Sequence, residues 1–401
     1  MIREKKTGYV PHYQYGRHHL DEQDIEAVVS TLREGLLTQG PKVPELENKT
    51  IEVIGANYAI AMNSATSALH VACLSMGIGS NSKVWVPAIS FVATANCAEY
   101  CGAKVNFVDV DSSSGNMDLT KLEAALVDAA KNNCLPDLVI VVHLAGMPVD
   151  LKRLKNLSLE YGFKVLEDAS HAFGSRLDGE MIGSCTLSDA AVFSLHPVKN
   201  ITSAEGGILV TNDPQISELA TLYRSHGIVR DNDRFLTELG RDPWAYEQHY
   251  LGFNYRMSDL HAALGSSQLD KLDLFINRRN EIAKYYSHHL QNIGSKIETP
   301  CLSDERFFSA FHLFQVRVLN DGGGFNRGSF FGSLLAAGIQ SNVHYIPIYL
   351  HPYYRKKNPS LYLEGALTFY EGVLCLPIYF GLEEKDLSHI VDQIIQIVGI
   401  E

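Results

Sequence analysis

No stretch of this chain approaches the roughly 18 consecutive apolar residues that a membrane span requires. Its opening Met-Ile-Arg-Glu-Lys-Lys puts charges where a secretory signal would need an apolar segment, so a cytoplasmic protein is expected. The seven cysteines, at 73, 97, 101, 134, 185, 301 and 375, are odd in number and include no Cys-x-x-Cys pair, which argues against a disulfide framework and suits a reducing compartment. Basic residues are outnumbered, 34 Lys and Arg against 46 Asp and Glu, leaving −12 at pH 7. Nucleic acid is therefore a poor partner, and an anionic ligand has to be held by a local device. Internal repeats and low-complexity tracts are also missing, and 46% hydrophobic with 20% charged residues is the balance of a globular chain. A length of 401 residues suggests two or three domains of roughly 100–200 residues.

Common catalytic signatures are equally sparse. The nearest approach to a dinucleotide-binding loop, Gly77-Ile78-Gly79, follows a helical pattern and lacks the third glycine. There is no G-x-x-x-x-G-K-[ST], no H-E-x-x-H and no G-x-S-x-G, which removes the sequence warrants for nucleotide hydrolysis, zinc proteolysis and α/β-hydrolase chemistry. Ser80-Asn81-Ser82-Lys83 spells S-x-x-K but precedes a strand pattern. Sixteen histidines show no metal spacing: His18-His19 and His288-His289 are adjacent, and neighbours on a helix or strand point different ways. No metal is expected.

Periodicity supplies the architecture. Ile25, Val28, Val29 and Leu32 follow a helical rhythm opened by Asp21 and closed by Gly35, and Leu36–Pro41 reads as a loop. Short apolar runs at 58–62, 84–86, 105–108, 138–142, 164–166, 190–193 and 208–210 then alternate with helical patterns at 67–75, 91–100, 119–130 and 150–161. That alternation predicts an α/β unit, a mostly parallel sheet with helices on both faces. One long helical pattern, 258–290, leads into a smaller α+β part with strands at 311–318 and 340–344, a turn at 321–324 and helices at 329–337 and 384–398. The domain boundary is expected along the long helix.

Three segments carry chemistry. Asn63-Ser64-Ala65-Thr66-Ser67 ends a strand and begins a helix; it is either an ordinary N-cap or a phosphate site built on free N–H groups and the helix dipole. Glu167-Asp168-Ala169-Ser170-His171 closes an apolar strand with a carboxylate at the edge where open α/β sheets bind ligands. Asp168 either caps the next turn or faces a cationic ring nitrogen. Ser194-Leu195-His196-Pro197-Val198-Lys199 leads from a strand into small and apolar residues ending in Gly206-Gly207. A lysine desolvated there would have the lowered pKa that imine chemistry needs.

Taken together with Pro87–Asn96 and Gly252-Phe253-Asn254-Tyr255-Arg256-Met257, these segments resemble the DegT/DnrJ/EryC1/StrS sugar aminotransferases over nearly the whole chain. The resemblance implies an aspartate aminotransferase-like fold of type I: an N-terminal segment 1–20, a large domain 21–275 and a small domain 276–401. It implies pyridoxal 5′-phosphate as cofactor, with Lys199, in the family's S-x-H-x-x-K position, as the lysine that carries it and as the acid–base group. Family members that replace this lysine with histidine are dehydratases. Asp168 would pair with the pyridinium nitrogen, His171 would reach the ring hydroxyl and Phe91 would stack on the ring. Ala65, Thr66 and Ser194 would hold the phosphate, joined by Asn254 from the other subunit of a homodimer. Tyr15, Leu37, Thr38, His344 and Tyr345 would line the sugar-nucleotide site, with His18 where the family often has Gln. The implied reaction moves an amino group from L-glutamate to the C4 ketone of a UDP-linked sugar; a different nucleotide-linked 4-keto or 3-keto sugar is the alternative.

Overall fold

The structure is a computed structural model that describes residues 12–237, 242–293, 295–320, 322 and 324–399. Most of the expected N-terminal segment, and Asp321 and Gly323 of the expected turn, lie outside the described residues.

Seven strands form the main sheet: β1 (Tyr58–Met62), β2 (Lys83–Pro87), β3 (Lys104–Val108), β4 (Leu138–Val142), β5 (Lys164–Asp168), β6 (Ala190–Ser194) and β7 (Gly207–Thr211). Their order is β1-β7-β6-β5-β4-β2-β3, and β7 alone among the seven runs against its neighbours. Alternation decides the layers. Leu138 and Ile140 pack into one apolar cluster with Val71, Ala98 and Ile216, while Val139 and Val141 pack into the other with Leu46, Leu122 and Leu154. Successive strand residues face opposite sides, so a run of valine, isoleucine and leucine demands helices on both faces. Accordingly α3 (Ala65–Ser75), α4 (Ala93–Tyr100) and α7 (Pro214–Arg224) cover one face. The other is covered by α2 (Lys42–Ile54), α5 (Leu119–Lys131), α6 (Leu151–Tyr161) and α8 (Asp259–Leu269). The expected strands and helices of this unit are all present.

Three expectations change. The helix α2 is not among the expected elements, although Val43, Leu46, Thr50 and Ile54 bury one stripe of it. The long helix of 258–290 is two, α8 and α9 (Leu272–Leu290), broken at Asp270–Lys271. Lys271 turns there to an ion pair with Asp24 at 2.9 Å, on α1 (Glu22–Glu34). The strand expected at 340–344 reduces to isolated bridges, Tyr13 with Ile339 and Asn342 with Cys375.

Beyond α9 the chain forms a three-stranded antiparallel sheet of β8 (Ile297–Glu298), β9 (Phe314–Val318) and β10 (Val373–Leu376), in the order β8-β9-β10. Helices α10 (Arg327–Ala336), α11 (Pro352–Lys357), α12 (Glu364–Gly372) and α13 (Glu384–Val398) complete it. Tyr286, Phe314, Phe330 and Ile390 share one apolar cluster there. Tyr349 and Phe369 instead pack against Ile89 and Val110 of the large unit, which brings the 342–350 segment over the carboxyl ends of the main strands. No helix among the described residues is long and apolar enough to cross a membrane.

Candidate active site

The parallel strands end on one edge, and the cavity above it, about 460 Å³, is lined from five of their connections and from the smaller unit. At β1 the chain turns through Asn63-Ser64 into α3. Ser64 caps the helix by accepting the Ser67 N–H at 3.1 Å, and Ser67 returns the bond to the Ser64 N–H at 3.2 Å. This capping box leaves the first-turn N–H groups of Ala65 and Thr66 without an intrahelical acceptor, at the positive end of the helix dipole. The β7 residue Gly207 stands between Met62 and Ser194 in the sheet register, and a Cβ on it would collide with the Ala65 amide. Glycine at this place keeps the helix start and the Ser194 side of the sheet close together, a cradle of anion-holding size.

Asp168, the last residue of β5, is 4% exposed. Its Oδ2 accepts the Thr94 hydroxyl at 2.7 Å, which is itself paired with the Ser90 hydroxyl, and its Oδ1 accepts the Ser170 N–H. Both oxygens are thus fixed by neutral donors, and the carboxylate lacks a cationic partner in direct contact among the described residues. A buried carboxylate with neutral donors alone favours a cation beside it. Its neighbour in sequence, Glu167, faces the other side of the strand and pairs with His143 at 2.8 Å and with Ser188, so it belongs to the core.

His171 has a settled tautomer. Ala145, held at φ 59 in a tight turn, points its N–H at His171 Nδ1, 3.2 Å away. Nδ1 is therefore an acceptor, and the neutral ring carries its proton on Nε2, which donates to Tyr345 Oη at 3.1 Å. Burial, then the charge of Lys199, holds this imidazole well below its usual pKa.

Lys199 sits on the irregular connection between β6 and β7. Burial lowers its pKa to about 8, against an opposing pull from Asp168. At pH 7 that leaves roughly a tenth of the side chain as free amine, about three hundredfold more than for an ordinary lysine. Its nearest side-chain partner is His312 Nε2 at 3.4 Å. The following residue, Asn200, anchors the loop by donating to the carbonyls of Phe173 and Ala310.

Tyr15, Ala65, Thr66, Phe91, Asp168, His171, Ser194, Lys199, His344 and Tyr345 all line this one cavity. Phe91 is 56% exposed at its mouth. His344, lowered to about 3 by burial, bonds Cys375 through Nδ1 at 3.1 Å. Leu37, Thr38 and Asn254 do not line it; all three are exposed on the surface. Leu37 is pinned near the start of α8 by the Asp259 N–H, and Asn254 neighbours Tyr255, whose carbonyl accepts the Asn63 N–H just before the phosphate turn. Sequence reasoning missed Thr94, which orients Asp168, and His312, which touches Lys199. Thr94 lay inside the recognised segment 87–96, whereas His312 looked like the start of a strand.

The cavity fits pyridoxal 5′-phosphate: an anion cradle at Ala65, Thr66 and Ser194, a buried carboxylate with no cation in direct contact among the described residues, a low-pKa lysine, and a buried His312 Nδ1 that has no hydrogen-bond partner among those residues. Comparison with known proteins points the same way. Residues 18–395 match the model of the DegT/DnrJ/EryC1/StrS aminotransferase family. A Campylobacter jejuni UDP-4-amino-4,6-dideoxy-N-acetyl-β-L-altrosamine transaminase is 36% identical over 386 residues, covering 96% of this chain and 97% of that protein. Among solved structures, Helicobacter pylori PseC, an aminotransferase involved in the biosynthesis of pseudoaminic acid, superposes with a TM-score of 0.86 at 29% identity, covering 96% of this chain and 99% of that one. The PLP form of a putative sugar aminotransferase from Streptococcus pneumoniae superposes with a TM-score of 0.82 at 26% identity, covering 97% and 98%.

Proposed function

The chain belongs to the DegT/DnrJ/EryC1/StrS aminotransferase family, and from that premise we propose that it is a pyridoxal phosphate-dependent transaminase of pseudaminic acid biosynthesis. Its substrate in this reading is UDP-2-acetamido-2,6-dideoxy-β-L-arabino-hexos-4-ulose, aminated at C4 at the expense of L-glutamate. The observation that carries the reading is the convergence of a half-buried, low-pKa Lys199, the Asp168 carboxylate and a capped helix start on one cavity.

Pyridoxal phosphate, when bound, supplies an electron sink and a carbon that carries the amino group between donor and acceptor. The chain does the rest. Ala65, Thr66 and Ser194 would hold the phosphate, Asp168 would keep the pyridine nitrogen protonated, His171 would turn its Nε2–H from Tyr345 to the ring hydroxyl, and Phe91 would offer a face to the ring. Lys199 Nζ takes the proton from the donor's α-carbon and returns a proton to C4 of the sugar in the reverse half, so its lowered pKa serves both directions. Tyr15, His344 and Tyr345 would shape the sugar-nucleotide side; Leu37 and Thr38, which lie outside this cavity, would join them only from the partner subunit. A hollow lined by His12, Arg17 and His18 shares Val198 with the main cavity and offers positive charge to a diphosphate. We take residues 276–401 as the smaller domain, and a homodimer as the working unit: Leu36, Leu37, Tyr250 and Leu251 are large apolar side chains left exposed, and Asn254 would reach the phosphate of the partner's site.

The test is the visible spectrum of the purified protein before and after L-glutamate, followed by product analysis with the keto sugar. A yellow protein that bleaches with glutamate and forms the 4-amino sugar is expected. A colourless protein that stays so after pyridoxal phosphate is added would sink the assignment.

A further inference from the structure

His312 is a buried histidine to which the reaction read above gives no task. It lines the cavity, is 4% exposed, lies 3.4 Å through Nε2 from Lys199 Nζ and rests its ring 4.4 Å from that of His171. Its Nδ1 is fully buried and has no hydrogen-bond partner among the described residues. Much of the local backbone is devoted to holding it. Arg279, 2% exposed, spends Nη1 on the carbonyls of Phe311, His312 and Ile378, at 3.0 to 3.1 Å. No carboxylate pairs with Arg279 among the described residues, and burial lowers its pKa to about 10. Asn200, one residue beyond the lysine, donates to the Ala310 carbonyl at 3.2 Å. Asn200 thus ties the lysine loop to the histidine segment, and Arg279 fixes that segment from its other side.

Charged and titratable groups around the pair are Asp168, His171, His196, His344 and Arg279. Burial, then the Lys199 charge, pushes the His312 pKa well down, so the ring is neutral at physiological pH. A neutral imidazole has one lone pair to offer. An ammonium has hydrogens and no lone pair, so a protonated Lys199 can only donate, and Nε2 must be the acceptor with the ring proton on Nδ1.

We propose that His312 is the positioning residue of Lys199: its Nε2 accepts a hydrogen bond from the lysine ammonium whenever the amine is not engaged with the cofactor, holding Nζ in the cavity and setting the pH at which it becomes a free amine. The inference rests on the reading of Lys199 as the cofactor lysine. A hydrogen bond to the charged form favours that form. Without it the amine should lose its proton about one to two pH units lower, the worth of one charge-assisted bond.

The experiment is competitive acetylation of the cofactor-stripped, full-length protein with acetic anhydride from neutral to alkaline pH, reading Lys199 by peptide mass spectrometry. Wild type should titrate above the value of about 8 that burial and Asp168 by themselves leave it. His312→Phe should move the midpoint down by about one unit or more, and His312→Gln, which restores an acceptor, should bring it back. A midpoint that stays put in His312→Phe, or rises as an opened and wetter site would make it do, overturns the proposal; so does a fall that His312→Gln fails to reverse. Should the Phe variant not fold, the ring nitrogens of 15N-histidine-labelled wild type decide: an Nδ1–H tautomer whose Nε2 resonance moves on adding pyridoxal phosphate supports the pairing, and an Nε2–H tautomer or imidazolium ends it. Uptake of pyridoxal phosphate at Lys199 in wild type is scored separately, since its failure would strike the functional reading and not the His312 pairing.

Discussion

Lys199, Gly207 and Thr94 each answer to a different kind of substitution. Replacing Lys199 by Ala removes a reacting group and little core volume, so turnover with glutamate and the keto sugar should fall by about a thousandfold or more while circular dichroism is unchanged. Gly207→Ala should act through geometry, because its methyl would press the Ala65 amide out of the phosphate cradle. Pyridoxal phosphate affinity, measured by absorbance titration, is expected to drop by more than about tenfold, the loss of one good anion contact. Unaltered affinity would mean that the helix start does not hold the phosphate. Thr94→Val strips Asp168 of its shortest hydrogen bond at nearly constant volume, and the expected cost is about 1 kcal/mol in cofactor binding, or roughly fivefold. His171 needs no such test of protonation, since Ala145 has already fixed its tautomer.

Among the elements, α3 is the one on which site and fold meet. Ser64→Ala should remove its cap and destabilise the protein by about 1 kcal/mol in urea unfolding, and since the cap also sets the direction of the first-turn N–H groups, cofactor affinity should fall with it. How far the elements could be read in advance follows from what each depends on. Strands β4 and β5 are buried on both faces, so composition alone marks them, and the segments at Ser64, Asp168 and Lys199 stood out because small or charged residues interrupt apolar runs. The helix α2 was overlooked because Pro41 and a charged surface stripe hid its four buried positions. The break between α8 and α9 depends on Lys271 finding α1, a contact some 250 residues distant in sequence, and no local pattern announces it. The same holds for His312: its value comes from Arg279 and Asn200, residues that gather only in the folded chain.

For the molecule as a whole, the desolvated lysine leaves a mark on stability. In the unfolded chain its pKa is near 10.5 and in the fold about 8, so between those values the unfolded state binds more protons and stability rises with pH. Below about pH 8 the full penalty for burying the charge is present, and above about 10.5 it is gone. Cofactor-free Lys199→Met should accordingly be more stable than wild type at pH 7, by up to about 3 kcal/mol, with the advantage fading through that window in paired urea titrations. A Met variant no more stable than wild type at neutral pH would show that the amine keeps its ordinary pKa. The proposed homodimer predicts about 89 kDa by sedimentation, twice the 44.4 kDa chain.

The cavity draws its walls from residues as far apart in the chain as Tyr15 and Tyr345, and that spread has a consequence in time. A ribosome adding about 5–20 residues per second finishes Lys199 some 146 residues before Tyr345, a lag of roughly 7 to 30 seconds. Throughout it the lysine lacks the cavity walls that His312 and residues 342–345 supply. Full cofactor loading is thereby expected to wait for the last quarter of the polypeptide, and a product truncated before His312 should retain pyridoxal phosphate less well than the whole chain in an absorbance titration.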